Sequence, residues 1–389
     1  MIQPRTARFL RRFVSPRAET AFEREIILSS GPSDEATIYL PVRPAGRSPA
    51  WVLLHGVTVP GRHHEAVRRM ARALAAAGHI ALVPEVPEWT ALRVAPREAE
   101  VAIRKGVQEL TGRHDVDPER IGLIGFSVAG TWGLEAAAGD LSEHIRTVVS
   151  IGGYASIQRT LIAMIIGEYG RDGRRGVYRP DPYGRWIMGA NLLTLLEGDA
   201  YGTLPERENA AAALSRLART AGKNGTLARE AVYDTLIATL RESVPVGALA
   251  AWDLLAAPST NPVPDVARGR ALADALAGAA RTACPEIDPE GRFSGLTSRV
   301  ALLHGMTDTL IPFTEADRLR ELLPPGIPAT VTITRLFGHT KTREARLRNP
   351  ATYVREAASF VRFVEWMLDT GRPVVRPSAG DAAQARHER

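Results

Sequence analysis

Short predicted strands alternate with helical segments along much of this chain, and no other feature of the sequence restricts the fold as strongly. A hairpin predicted at residues 24–30 and 36–42 comes first. Predicted strands then recur between segments with helical periodicity, at residues 50–54, 79–83, 120–124, 145–151, 299–303 and 329–336. Such runs are too short to be the helices of a bundle. The pattern therefore predicts an α/β fold whose parallel sheet is buried on both faces.

A long helical stretch interrupts this alternation. Residues 155–294 carry helix periodicity, with joints rich in Gly and Pro, and contain no predicted strand. We interpret them as an insert in one core, which comprises residues 24–154 and 295–370. Residues 1–23 are then a basic N-terminal segment. Residues 371–389 are rich in Pro, Ala, Gly and charge, and are predicted to be disordered.

Ser127 lies in the sequence Gly-Phe-Ser-Val-Ala-Gly, between a predicted strand and a predicted helix. A serine hydroxyl is a poor nucleophile until a base removes its proton, and a sharp strand-to-helix turn presents it above the sheet edge. The turn needs small residues two positions before and after the serine, which here are Gly125 and Ala129. The usual pattern has Gly at the second position, so Ala129 is a departure of one methyl group. The motif predicts a nucleophilic Ser127.

Two phosphate-binding motifs use glycines in similar patterns, and neither fits. A P-loop would have Lys directly after Gly130, where this chain has Thr131. The nucleotide-binding pattern Gly-x-Gly-x-x-Gly is absent because Gly122, Gly125 and Gly130 are wrongly spaced for it. The sequence therefore favours nucleophilic chemistry over phosphate binding at this turn.

Two candidate partners of Ser127 follow later strands. Asp308 comes shortly after one predicted strand, and His339 shortly after the next. Because carboxyl ends of parallel strands meet at one sheet edge, we expect all three side chains there. His339 would take the Ser127 proton, and Asp308 would orient the resulting imidazolium. Alternatively, Asp308 caps the helix near Thr314 or binds local amides. A competing acid, Asp317, falls within a predicted helix.

These motifs resemble those of the α/β-hydrolase superfamily, in its capped esterase or dienelactone-hydrolase-like branch. The resemblance rests on Gly-x-Ser-x-Ala at Ser127, Gly-x-x-Asp-x-x-Ile-Pro at Asp308 and Gly-His at His339, in the order serine, acid, histidine. It covers residues 24–154 and 297–370. The resemblance implies an α/β-hydrolase fold, with a mostly parallel eight-stranded sheet flanked by helices. It also implies that the insert follows the sixth strand as a lid.

The resemblance further implies an oxyanion hole formed by the backbone amides of Val57 and Val128. For the substrate pocket, we expect contributions from Met164, Trp186 and Leu192, because the insert carries more apolar surface than an exposed layer needs. Packing within the insert is the alternative role for these three side chains.

Charge and cysteine content narrow the choice of partner and compartment. The formal net charge is +6, but the arginines are spread along the chain and interleaved with Glu and Asp, which argues against a nucleic-acid partner. Cys284 is the only cysteine, so no intrachain disulfide can form, as is typical of a reducing compartment. The sequence has no signal-peptide stretch and no membrane-spanning apolar run. We therefore expect a cytoplasmic protein.

One weak membrane signal exists at the N-terminus. Residues 5–14 predict a short basic amphipathic helix, which could lie on a membrane surface or pack on the core. We favour packing. His63 and His64 lack the spacing of a metal-binding pair, so no metal site is predicted there, although they could lie at the pocket rim.

Together these patterns predict a serine hydrolase that cleaves a carboxylic ester of a small to medium, largely apolar substrate through an acyl-enzyme. Neither a metal nor an organic cofactor is expected. Thioesterase, amidase and acyltransferase activity with the same triad stay open. A non-catalytic ligand-binding protein with this fold is the alternative from another class.

Overall fold

One eight-stranded sheet forms the centre of the protein. The computed structural model describes residues 2–15, 21–28, 34–42, 46–171, 174–225, 227–336 and 350–370. The strands of the sheet are β1 (Ala21–Ile27), β2 (Glu35–Pro41), β3 (Ser48–Leu54), β4 (Ile80–Pro84), β5 (Val116–Phe126), β6 (Thr147–Ile151), β9 (Arg299–Gly305) and β10 (Ala329–Thr334). Their order across the sheet is β1-β2-β4-β3-β5-β6-β9-β10.

The pairing is mostly parallel, as predicted. β1 and β2 form the expected antiparallel hairpin, and β2 pairs antiparallel with β4. All the other neighbours in the sheet pair in parallel. Leu54 lies opposite Gly125, and Ile151 lies opposite both Phe126 and Leu303. Strands β3, β5, β6 and β9 therefore end close to one another, and the loops that follow them share one edge of the sheet.

Helices cover both faces of the sheet, which explains the continuous apolar runs in its central strands. Every residue of β3 and β4 is buried. The helices outside the insert are α1 (Pro4–Val14), α2 (Glu65–Ala76), α3 (Pro87–Thr90), α4 (Arg97–Thr111), α5 (Val128–Ala138), α12 (Thr314–Leu322) and α13 (Pro350–Leu368). One face of the sheet packs with α4, α5 and α12, and the other with α2 and α13.

The insert, residues 155–294, connects β6 to β9. Its helices are α6 (Ile157–Ile166), α7 (Pro182–Leu192), α8 (Leu204–Asn224), α9 (Asp234–Ser243), α10 (Leu249–Leu255) and α11 (Val266–Ala283). They enclose a hydrophobic cluster in which Trp186, Leu214, Trp252 and Leu276 are completely buried, and which also includes Leu92, Leu310 and Ile311 from outside the insert.

The insert is not wholly helical, which differs from the expectation. Strands β7 (Glu168–Arg171) and β8 (Arg174–Val177) pair antiparallel as a separate two-stranded ribbon. The ring centroids of Tyr169 and Tyr178 lie 5.3 Å apart, and Tyr169 lies 5.8 Å from Phe313. The ribbon is therefore held by an aromatic contact to a distant part of the chain, which local periodicity does not reveal.

Helix α1 packs on the core through an aromatic cluster. Phe9 is fully buried and stacks on Phe13 with ring centroids 5.6 Å apart. Phe13 in turn lies 5.5 Å from Phe360 of α13. The apolar side of α1 is therefore occupied by the protein itself. Among the described residues, no helix is long and apolar enough to cross a membrane.

Replacing Phe9 with Ala should lower the free energy of unfolding by about 3–4 kcal/mol, because the change removes a buried ring and leaves a cavity. Arg11 is exposed on the same helix, so Arg11→Ala should change it by less than about 0.5 kcal/mol. Urea unfolding followed by circular dichroism measures both variants. Equally small effects would show that stability does not depend on docking of α1.

Candidate active site

Ser127 occupies a strained turn between β5 and α5. Its backbone has φ 57° and ψ −136°, a conformation that L-residues rarely adopt and that costs free energy. Its amide donates a hydrogen bond to the carbonyl of Ile151, with 2.7 Å between N and O. The side chain is half-buried at the N-terminus of α5. This is the geometry expected for a serine presented at the edge of a parallel sheet.

Two glycines make this sharp turn possible. A Cβ atom on Gly125 would lie 2.3 Å from the carbonyl oxygen of Ala129, and one on Gly130 would lie 2.4 Å from the Oγ of Ser150. The methyl group of Ala129 itself is fully buried against the sheet. The departure from the usual motif is therefore accommodated, because the crowding falls on Gly125 and Gly130.

The two amides predicted to form an oxyanion hole flank this turn. Val128 is the first residue of α5, so its N–H has no partner within the helix. Val57 follows Gly56, and a Cβ on Gly56 would lie 3.2 Å from the Cβ of Ser127. Within the described part of the chain, no hydrogen bond from the amide of Val57 or of Val128 is found. Both residues are half-buried.

His55 fixes the peptide that carries the Val57 amide. The imidazole is completely buried, and its Nδ1–H donates to the carbonyl of Gly56 at 2.8 Å, while its Nε2 accepts from the amide of Val86 at 3.1 Å. In a trans peptide the C=O and the N–H point in opposite directions. Because His55 holds the Gly56 carbonyl, the Val57 N–H must point away from the His55 ring. Sequence reasoning did not assign a role to His55.

The neutral form of His55 is required by these contacts. Burial lowers the pKa of His55 to about 4, since a charged imidazole would lose its hydration. Its Nε2 also lies 3.6 Å from Oε1 of Glu85, a carboxylate whose pKa is raised by burial. The His55 ring also makes an edge contact with Trp89, with 5.5 Å between the ring centroids.

Asp308 lies in the loop after β9, at the same sheet edge as Ser127. Its side chain is almost completely buried, and its Oδ1 accepts hydrogen bonds from the amides of Leu310 at 2.9 Å and Ile311 at 3.0 Å. The alternative role, in which Asp308 satisfies local amides, is therefore part of the observed geometry. These two bonds hold one oxygen and leave Oδ2 on the other side of the carboxylate.

A second buried histidine supports the Asp308 loop. The Nε2 of His304 lies 2.9 Å from the carbonyl of Ile311 and 3.5 Å from Oδ2 of Asp308. His304 and His55 each precede a glycine at the end of a central strand, and this repeated His-Gly pair is the signal that could have identified both. His339, the predicted base, lies outside the described residues.

The insert contacts the loops that follow β3, β5 and β9. A Cβ on Gly222 of α8 would lie 2.7 Å from Cγ2 of Val59, so α8 approaches the loop that begins at Gly56. The hydroxyl of Tyr183 lies beside Thr58 of that loop, and burial raises the pKa of Tyr183 to about 12. Val128 packs against the hydrophobic cluster of the insert, as do Val57 and Val59 after β3 and Leu310 after β9.

Hydrogen bonds reinforce this contact at two further points. Asn191 of α7 donates through Nδ2 to the carbonyl of Leu92 at 2.9 Å, and its Oδ1 accepts from the amide of Val94 at 2.9 Å. Leu92 and Val94 lie in the loop between α3 and α4. The amide of Asp181 donates to the carbonyl of Thr309, next to Asp308, at 3.2 Å. The insert is therefore attached to loops around Ser127 on several sides.

The three predicted pocket residues are all buried in the insert. The side chains of Met164, in α6, and Leu310, in the Asp308 loop, both approach Gly184. A Cβ atom on Gly184 would lie 3.0 Å from each of them, so Met164 faces the Asp308 loop. Leu192 lies in the same hydrophobic cluster. Trp186 instead packs edge-on against Tyr233, with ring centroids 6.0 Å apart, inside the insert.

The two adjacent histidines near the N-terminus of α2 have separate surroundings. His63 is exposed, whereas His64 caps α2 by accepting a hydrogen bond from the amide of Ala66 at 3.3 Å. In the residues that the structure describes, no group of three or more His, Cys, Asp or Glu side chains is placed to hold a metal ion.

Comparison with known proteins finds likeness in structure rather than in sequence. No protein-family model matches the chain, and no curated protein matches it significantly. A 2,6-dihydroxy-pseudo-oxynicotine hydrolase is 15% identical with a TM-score of 0.46, over 92% of this chain and 70% of that one. An acylaminoacyl peptidase from Pyrococcus horikoshii is 12% identical with a TM-score of 0.48, over 96% of this chain and 45% of that one. An acetyl xylan esterase from Paenibacillus sp. is 13% identical with a TM-score of 0.42, over 92% of each chain.

The chain is similar in fold to these hydrolases. This likeness concerns the fold and assigns no reaction to the chain.

His55 should make the protein less stable in mild acid. Its pKa in the folded protein, about 4, lies below the ordinary value of 6.5, so the unfolded chain binds the proton first as the pH falls. The contribution of His55 to the free energy of unfolding is complete above about pH 6.5. It is lost progressively as the pH falls to about 4, with a maximum loss of about 3 kcal/mol.

The matched variant is His55→Asn, whose amide nitrogen can stand where Nδ1 does and donate to Gly56 without titrating. Its free energy of unfolding should decline less steeply between about pH 6.5 and pH 4 than that of the wild type. Urea unfolding at a series of pH values measures the difference. Parallel declines in the two proteins would mean that His55 is not the titrating group.

Proposed function

We propose that this chain is a serine hydrolase of the α/β-hydrolase type that cleaves a carboxylic ester. The single observation that carries the proposal is the strained backbone of Ser127, φ 57°, at the junction of a central parallel strand and a helix N-terminus. Such strain persists only where surrounding structure enforces it, and it is concentrated at functional sites. Glycine adopts this backbone conformation without cost. A residue that served only to complete the turn would therefore be expected to be glycine rather than serine.

In the proposed reaction, Ser127 Oγ attacks the ester carbonyl carbon and gives its proton to His339. The amides of Val57 and Val128 stabilise the negative charge that develops on the carbonyl oxygen. The bond to the alcohol breaks, and the alcohol leaves with the proton from His339. Water then attacks the acyl-enzyme, passing a proton through His339 to Ser127, and releases the carboxylic acid.

Asp308 is the proposed acid that orients His339. Its support is positional, since it follows a central strand at the Ser127 edge and is almost completely buried. The two amides at Oδ1 fix the plane of the carboxylate, so Oδ2 can hold an imidazole in one orientation. Asp317, the competing acid, lies within α12.

The insert is the proposed lid. Its contacts with loops around Ser127 support this role, because a covering layer excludes water and strengthens hydrogen bonds to the developing oxyanion. The side chains that meet at this junction are mostly aliphatic, among them Val57, Val59, Val128, Met164 and Leu310. We therefore propose a small to medium, largely apolar acyl substrate.

Ser127→Ala should lower kcat for a good ester by about 10⁴-fold or more while the folded state persists, since the hydroxyl does the chemistry. The readouts are ester turnover and covalent labelling by a fluorophosphonate. Ser215→Ala, a partly exposed serine of α8, is the control and should keep both activity and labelling. Near wild-type turnover by Ser127→Ala would exclude the mechanism.

The same assay tests the proposed acid. Asp308→Asn should lose most of kcat because an amide favours the wrong histidine tautomer. Asp317→Asn is the matched control and should stay active. The acid assignment is wrong if the effects of these two substitutions are reversed.

Lid substitutions should change substrate preference. Met164→Ala and Leu192→Ala should alter the ratio of long-chain to acetyl ester turnover by roughly tenfold, because each removes aliphatic surface next to the proposed acyl site. Leu276→Ala, in α11 of the insert, is the control for loss of packing and should lower Tm without changing the ratio. An unchanged ratio in the first two variants, with lowered Tm, would mean that Met164 and Leu192 only pack.

A further inference from the structure

Arg185 is a fully buried guanidinium with too few partners. It lies on α7, and its relative exposure is 0%. Nη1 donates to the carbonyls of Pro262 at 2.6 Å and Ile165 at 3.3 Å. Nε and Nη2 are buried and have no hydrogen-bond partner, and no carboxylate of a described residue is found within 4.0 Å of the group. Arg185 therefore carries a buried charge with no carboxylate of a described residue at ion-pair distance, and the buried carboxylate of Asp181 acts on it only from beyond that distance.

Two of the other buried arginines, Arg207 and Arg62, have more partners than Arg185, whereas Arg12, at 7% exposure, is less completely buried and donates through Nη1 to the carbonyl of Ser15. Arg207 of α8 is also buried, but both of its terminal nitrogens bond to carbonyls, those of Leu196, Gly198 and Gly202. Arg62 pairs with Glu25, Glu35 and Glu85. Burying a charge without such partners is strongly unfavourable, so the contrast marks Arg185 as a group that needs an additional acceptor.

Loss of the proton does not remove this requirement. Burial lowers the pKa of Arg185 to about 10, and Asp181 opposes that effect without reaching ion-pair distance. The guanidinium therefore stays charged at neutral pH.

The surroundings of Arg185 are suited to a negative ligand. A narrow crevice beside it is also lined by Arg179, Arg229 and Trp186, whose Nε1 is buried and has no hydrogen-bond partner. The carboxylate that lines the crevice, Asp234, is already used, since it accepts from the amide of Ser259 at 2.8 Å and from its hydroxyl at 2.6 Å. Three arginines and one carboxylate that is already hydrogen-bonded therefore line the crevice, and Arg179 donates through Nη2 to the carbonyl of Ser259 at 2.7 Å.

We propose that this crevice in the insert binds a small monovalent anion, which bridges Arg185 to its neighbours as an internal counterion. The open space is about the size of one water molecule, which admits a monatomic halide ion, or one oxygen of a small carboxylate such as formate or acetate, but not a whole carboxylate group. Both kinds of anion carry one negative charge and can accept hydrogen bonds from Arg185 and from the indole N–H of Trp186. Neither Ser127 nor Asp308 lines the crevice, and the proposal does not depend on the proposed function.

The test measures the Tm of the full-length protein against the concentration of sodium chloride, formate, acetate or phosphate. Ionic strength is held constant with a bulky organic anion that the crevice cannot admit. A ligand that binds only the folded state raises Tm in a saturable way, by a few degrees at about 100 times its Kd. We expect this for chloride or for the small carboxylates, and a weaker response to phosphate. The anion whose effect on Tm saturates at the lowest concentration shows whether the crevice prefers a halide ion or a small carboxylate.

Arg185→Met removes the charge with little change in volume. Its Tm without small anions should equal or exceed that of the wild type, and the response to anions should disappear. Arg229→Gln, on the crevice wall, should weaken the response several-fold and serves as the second variant if Arg185→Met fails to fold. Arg207→Met, the control for removing a compensated buried arginine, should lose stability yet keep the response.

Arg185→Met leaves the backbone amides of the proposed oxyanion hole intact, so loss of the response in that variant separates this site from anion binding at the oxyanion hole. A wild type whose Tm responds to none of the four anions would overturn the proposal. The same conclusion follows if Arg185→Met folds and keeps the full response.

Discussion

The strained backbone of Ser127 depends on close packing around it, and much of the surrounding structure enforces that packing. Gly125 and Gly130 leave the space that the turn needs, and the Ile151 carbonyl holds the Ser127 amide. Strands β5 and β6 are buried between helices on both faces, so the turn cannot relax by moving away from the sheet. The core therefore offsets a local cost that an isolated turn could not maintain.

Two buried histidines extend this control to the neighbouring loops. His55 holds the peptide before Val57, and His304 binds the loop that carries Asp308. Each sits where a central strand ends, and each bonds a backbone carbonyl a short way along the chain. Such bonds fix loop geometry through groups that are completely desolvated, where hydrogen bonds are strongest and an unpaired group is most costly.

The sequence predicted those features that arise from burial and local backbone geometry. Parallel strands buried on both faces require continuous apolar runs, which revealed β3, β4, β5 and β6, and the small residues around Ser127 revealed the turn. The ribbon β7–β8 was missed because Tyr169 is stabilised by Phe313, far along the chain. The role of His55 was missed because it depends on Val86 and Gly56 meeting at one ring. The absence of a described carboxylate at ion-pair distance from Arg185 is likewise a property of the folded state.

The position of the insert has a consequence for the order in which the protein folds. Strands β6 and β9 are neighbours in the sheet, yet all of residues 152–298 lie between them along the chain. Pairing them closes a very long loop. The chain loses conformational entropy on closure before the contacts between the two strands stabilise it. Most members of the hydrophobic cluster around the insert come from the insert itself, so its prior collapse would shorten the effective loop and bring the two strand ends together. The insert would then hold the ends of β6 and β9 together while the second half of the sheet assembles.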